Sequence, residues 1–135
     1  LLQLDEDKRK DYLLRVDIST LGVHHALGLF GRLCLKAGLE EQGREAIALA
    51  IKKGVALFPD RAQLAKHYYE NEQFDTAWRI LGRVGLSSGE LSWQVLRLKI
   101  LTELNDEEQV VIQANRILHQ NPGNEVALNA IDKYT

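Results

Sequence analysis

A chain of 135 residues with 17 basic against 19 acidic side chains and a sequence pI near 6.1 has no electrostatic footprint for nucleic acid or an anionic membrane. Its 45% hydrophobic content, mixed with charge, predicts a folded domain rather than a disordered one. No apolar run approaches the roughly 18 residues that a bilayer span needs, so membrane insertion of this segment is not expected. The lone cysteine, Cys34, cannot close an internal disulfide, which leaves the compartment open between cytoplasm and bacterial periplasm. Beginning on Leu1 and lacking methionine, the chain reads as a fragment of a longer protein, so the lack of a signal peptide says nothing about the parent.

Residues 1–18 open with a charged block. Asp5 with Arg9, Glu6 with Lys10 and Asp11 with Arg15 are i,i+4 pairs with the acid first, each worth about 0.2–0.5 kcal/mol on a helix. Tyr12, Leu13, Val16 and Ile18 supply the apolar face of a solvated helix; a charged docking motif is the alternative use of the block. Ser19 or Thr20 is suited to cap a second helix running to about Ala37 and stopped by Gly38. Its face is Leu27, Phe30, Gly31 and Cys34. Glycines at 22, 28 and 31 weaken that helix, so close backbone approach must offset them. Leu39 to Phe58 reads as the longest helix, with Ala46, Ile47, Ala50, Ile51 and Val55 inward and a bend at Gly54. Pro59 ends it and Asp60 caps the next.

Arg61 to Val84 reads as two helices with a joint at Asn71–Gln73. Leu64, Ala65 and Tyr68 form one apolar edge, and Phe74, Ala77, Trp78 and Leu81 the other. Ala65 and Ala77 are small where the two helices cross, which lets the backbones approach. Residues 85–89, Gly-Leu-Ser-Ser-Gly, form a linker, and Ser88 precedes a helix with Leu91, Val95, Leu98 and Leu101 inward and Trp93 and Leu104 at its margins. Asp106 caps a further helix carrying Val110, Ala114, Ile117 and Leu118, and Asn121-Pro122-Gly123 stops it. Asn124 starts a last helix, from Glu125 to about Lys133, with Val126, Ala127, Ala130 and Ile131 on its face.

These elements repeat. Moving back 34 residues takes Ala65 to Gly31, Tyr68 to Cys34 and Ala77 to Gly43; moving forward 33 takes them to Leu98, Leu101 and Val110. On Leu64-Ala65, Tyr68, Phe74 and Ala77, and on Asn121-Pro122 closing a unit, the chain resembles the tetratricopeptide repeat family over about Val23 to Thr135, a period near 34 in helix pairs being that family's signature. Leu98 and Val110 depart from its small-residue pattern, and the first unit runs a turn long before Pro59. The resemblance implies an all-α fold, a right-handed superhelical solenoid of antiparallel helix pairs with about three and a half repeats. Residues 1–18 would be the end of a preceding repeat. Repeats one to three would span 19–57, 58–89 and 90–122, with 123–135 the first helix of a fourth.

Little in the chain carries reactive chemistry. His24 and His25 are adjacent and diverge by about 100° on a helix, while His67 and His119 lie in different units without ligands at metal spacing. Cys34 falls on an apolar face with no basic neighbour to activate it. The pairs Glu40-Glu41 and Glu107-Glu108 open helices, where they complement the dipole. Neither a phosphate loop nor a nucleophile triad is present, so neither an enzyme nor a cofactor or metal site is expected.

In the family the first helix of each unit lines a concave groove that holds partner peptides or helices. Directly after Gly31, Ala65 and Leu98 come Arg32, Lys66 and Lys99, a recurrent basic position that would form a ladder along such a groove. Tyr69 and Thr102 follow three residues later, then Lys36, Glu70 and Glu103. The partner-binding set expected from this register is Arg32, Lys36, Lys66, Tyr69, Lys99 and Thr102, facing a protein segment of acidic or mixed charge. The family's clamp for chaperone C-terminal carboxylates needs basic and asparagine residues one turn earlier. Gly28-Leu29, Ala62-Gln63 and Val95-Leu96 stand there instead. The expected role is a protein–protein interaction scaffold. The alternative is a structural spacer or self-assembly segment, similar to the repeat scaffolds of bacterial polysaccharide synthesis and export, with dimers forming through exposed repeat ends such as Leu13 or Ile131.

Overall fold

The computed structural model describes residues 6–18, 25–81 and 90–134. Among them lie eight helices and no strand: α1 Glu6–Leu14, α2 Ala26–Lys36, α3 Glu40–Lys52, α4 Phe58–Glu70, α5 Phe74–Leu81, α6 Leu91–Glu103, α7 Glu107–Gln120 and α8 Glu125–Tyr134. The described residues are all-α, an architecture compatible with helical repeats. Ser19, Thr20, Ser88 and the linker 85–89 fall outside the described residues, and α2 itself begins at Ala26 behind the N-cap position His25, so neither Ser19 nor Thr20 caps it.

Two further expectations fail. Tyr12, placed on the apolar face of the first helix, is 67% exposed, and α1 stops at Leu14 before Val16 and Ile18. The long helix from Leu39 to Phe58 is not continuous, because α3 stops at Lys52 and Gly54 adopts φ 72° beyond it. Pro59 therefore does not end α3. It sits in the first turn of α4, where its missing N–H costs nothing. The Asp106 and Asn124 caps form as expected. Asp106 Oδ1 accepts from Gln109 N at 3.3 Å, and Asn124 Oδ1 from Ala127 N at 3.0 Å. On α1 the Glu6–Lys10 and Asp11–Arg15 pairs form at 3.8 and 2.9 Å, and Asp5 lies outside the described residues. These side chains are mostly exposed, so each pair adds only a few tenths of a kcal/mol.

The turns after α2, α4 and α6 share one backbone design. Leu39 N donates to Cys34 O at 2.8 Å, Gln73 N to Tyr68 O at 2.9 Å and Asp106 N to Leu101 O at 3.3 Å. Each is the long bond of a Schellman motif, and the short bond recurs from Gly38 to Leu35, Glu72 to Tyr69 and Asn105 to Thr102. The motif needs a left-handed residue, and Gly38, Glu72 and Asn105 have φ of 85°, 61° and 56°. The same motif closes α3 at Gly54, with Val55 N on Ala50 O at 2.9 Å. Glycine takes this conformation without cost, whereas Glu72 carries a Cβ strained against its own carbonyl. Glu72→Gly is therefore expected to raise unfolding free energy by about 1 kcal/mol, read as a higher urea midpoint at unchanged slope.

The chain divides into two compact units, Leu1–His67 and Tyr68–Thr135, with the division falling inside α4. In the first unit α1 and α3 pack against α2. Leu13, Leu27, Phe30, Cys34, Ala46 and Ala50 form its core. Gly31 and Gly43 set the α2–α3 crossing: a Cβ on Gly31 would overlap Ile47 Cγ1 and stand 3.1 Å from Gly43 O, and one on Gly43 would stand 3.0 Å from Gly31 O. The sequence pairing of these two glycines thus reflects backbone-to-backbone contact.

Gly28 makes room for something the sequence did not announce. Asp60 is fully buried, and a Cβ on Gly28 would overlap its carboxylate. Asp60 Oδ2 accepts from Leu57 N at 2.8 Å, the return half of a capping box, so Asp60 caps α4 from inside its first turn. Its Oδ1 stands 2.7 Å from Arg32 Nε of α2, an ion pair by distance without the angle of an aligned hydrogen bond. Arg44 of α3 donates from Nη1 to His67 Nε2 on α4 at 3.2 Å, which fixes that ring nitrogen as an acceptor.

In the second unit α6 contacts α5, α7 and α8, and α7 contacts α8. The core is Leu98, Leu101, Val110, Ala114, Ile117, Ala127 and Ala130. Helix α6 is enclosed on nearly every side, and Gln94, Leu96, Arg97 and Ile100 are buried as well as the expected Leu98 and Leu101. Gln113 Nε2 of α7 reaches Gln94 O at 3.5 Å. Burial, followed by the neighbouring charge of Arg116, pulls the Arg97 guanidinium below its usual value.

Candidate functional site

The end of α4, the last two turns of α6 and the inner face of α8 enclose a cleft of about 260 Å³, lined by Tyr69, Lys99, Thr102, Glu103, Val126, Asn129, Ala130 and Lys133. Helical spacing explains the set. Lys99, Thr102 and Glu103 occupy one face of α6 at steps of three and four, and Val126, Asn129, Ala130 and Lys133 do so on α8. The small Ala130 keeps the floor low. Val126 and the Tyr69 ring make it apolar.

The polar groups are distinct in role. Thr102 donates its hydroxyl to Leu98 O at 2.8 Å, so towards the cleft its oxygen offers lone pairs. The Tyr69 ring leans on Phe74 with centroids 5.6 Å apart and a 57° tilt, which fixes its position. Burial, then the Glu103 carboxylate, pushes the Tyr69 hydroxyl above its ordinary range, so it stays protonated as a donor. Lys133 Nζ lies 5.4 Å from the Tyr134 ring centroid. Among the described residues neither Lys99 nor Lys133 has a carboxylate within ion-pair distance.

Of the six partner-binding residues expected from sequence, Tyr69, Lys99 and Thr102 meet in this cleft. Lys36 and Lys66 are exposed. Arg32 is engaged with the buried Asp60, so its charge is already matched within the fold. The α8 residues were missed, although the signal was in reach: a further step of 34 from Lys99 lands on Lys133, and the same step from Val95 lands on Asn129.

Other candidate groups have structural surroundings. His25 donates from Nδ1 to Val55 O at 2.9 Å, His67 is buried against Arg44, His119 is exposed, and His24 lies outside the described residues. Among the described residues no three His, Cys, Asp or Glu side chains gather to hold a metal ion, and no helix is long and apolar enough to cross a membrane. Cys34 is buried, and burial pushes its thiol up to about 11. A thiol reagent at pH 8 is therefore expected to label Cys34 at a rate set by opening of the fold, rising to that of a free thiol only in denaturant. Fast labelling of the native protein would contradict this placement. No family model matches this chain, and no curated protein or solved structure proves similar to it.

Proposed function

We propose that this chain is a tetratricopeptide-like repeat module, its helix pairs continuing as a right-handed superhelix, that holds a segment of a partner protein. The observation that carries this reading is the cleft itself. Its walls come from α4, α6 and α8, which stand in the same place in successive repeats, and its rim carries Lys99 and Lys133 at the recurrent basic position. At about 260 Å³ it is smaller than the pockets of about 300–1,000 Å³ that enclose a cofactor, and it suits a few side chains of an extended segment.

The test sets the protein beside the double variant Lys99→Glu, Lys133→Glu. Both lysines are exposed, so the variant should match wild type in helicity by circular dichroism. Affinity capture from extract is expected to yield a partner whose recovery falls at least about tenfold in the variant, since like-charge juxtaposition at an interface costs several kcal/mol. Equal recovery of the same proteins by both would overturn the proposal and leave the spacer role in its place.

A further inference from the structure

Resting on the cleft as partner site, the geometry points to an occupant of one chemistry: a peptide segment that sets an acidic side chain directly beside an aliphatic or aromatic one. The floor of Val126, Ala130 and the Tyr69 ring offers only apolar surface, so it takes an apolar side chain. The two ammonium groups come from facing helices, Lys99 from α6 and Lys133 from α8, and neither has a carboxylate within ion-pair distance among the described residues. Both lysines line the one small cleft, so an anion seated there gains from both charges. Asn129 lies one turn before Lys133 on the same wall and adds a donor for a carboxylate oxygen.

The charge is not uniform along the cleft. Glu103 lines the cleft as well, so the surface beside it carries negative charge. A second acidic residue placed there would be repelled, while a backbone or side-chain donor would be accepted. The occupant is therefore a mixed segment with one acid at the lysines, and a run of acids is disfavoured.

A random dodecapeptide library displayed on phage and selected on the protein supplies the probes, and fluorescence anisotropy of the recovered peptides supplies the affinities. Peptides that occupy the cleft are identified by loss of binding to Asn129→Trp, which fills the cleft from an exposed rim position. The expected cleft peptides share one Asp or Glu adjacent to Leu, Ile, Val or Phe. Changing that acid to its amide should weaken binding about tenfold. The variant Lys99→Gln, Lys133→Gln should weaken the acidic peptide by about the same factor and the amide peptide hardly at all. Cleft peptides indifferent to the acid-to-amide change would overturn this inference while leaving the partner site standing. Recovery of no peptide sensitive to Asn129→Trp would overturn both. A dimer in sedimentation equilibrium that Asn129→Trp dissociates would make a second copy the occupant, and the peptide proposal would fall.

Discussion

Asp60→Ala is expected to cost about 3–5 kcal/mol of stability, enough to leave a domain of this size partly unfolded. Three effects combine. The Arg32 guanidinium, half-buried on α2, loses the carboxylate 2.7 Å away and keeps its charge in a site shielded from water. Leu57 N loses its acceptor, so the first turn of α4 loses a cap worth about 1 kcal/mol. The space that Gly28 leaves for the carboxylate becomes a void. Asp60→Asn separates these effects, because the amide fills the space and can still accept from Leu57 N. It should lose only the ion pair and cost clearly less than Asp60→Ala. Urea unfolding of both variants checks the ordering, and an Ala variant no worse than the Asn variant would mean that the capping and packing roles are wrong.

The second large effect is expected at the crossing of α2 and α3. Gly31→Val should destabilise by about 3 kcal/mol or more, because the groups it meets include backbone, Gly43 O and Ile47 N at 3.1 Å, which cannot swing aside. Helix propensity alone predicts the opposite sign, since glycine is the poorer helix former by several tenths of a kcal/mol. The same repeat position in the third pair is Leu98, fully buried, and there the change of large effect is truncation. Leu98→Ala should open a cavity and cost about 2–5 kcal/mol. Opposite responses at equivalent positions follow from one repeat built with a close crossing and another with side chains between the helices. Calorimetry on the two variants tests this, and a stabilised Gly31→Val would contradict the close approach.

The repeat register was legible because it rests on spacing. Small or apolar residues recurring at 33 and 34 residues marked the helix faces, and the turn at Gly38 is matched by Glu72 and Asn105 in backbone conformation as well as in sequence order. The boundary between α3 and α4 was less legible. Gly54 inside an apolar pattern reads as a bend, yet as the left-handed residue of a Schellman motif it stops the helix. Asp60 after Pro59 reads as the cap of the next helix, whereas it lies buried inside the first turn of α4. Its burial depends on Gly28 and Arg32, about 30 residues away, and such pairing leaves no periodic trace. Arg97 and Gln94 escaped for a related reason. Helix α6 is covered by three neighbours, so its buried face has no amphipathic contrast to read.

The candidate site was half visible. Tyr69, Lys99 and Thr102 were marked by register, whereas the α8 wall was read as core and its lysine passed over. Arg32 shared the register but not the environment, because a local acid took its charge. A repeated position predicts where a side chain stands along a helix. What faces it depends on the neighbouring helix.

Amide hydrogen exchange of the protein, free and with its captured partner or a selected peptide, tests the cleft as binding site most directly. Occupancy should slow exchange at the end of α4, in residues 99–103 of α6 and in 126–133 of α8, leaving α2 and α3 unchanged. Protection confined to α2 and α3, or to the outer face of α7 around the exposed Ile112, would place recognition elsewhere and contradict the assignment.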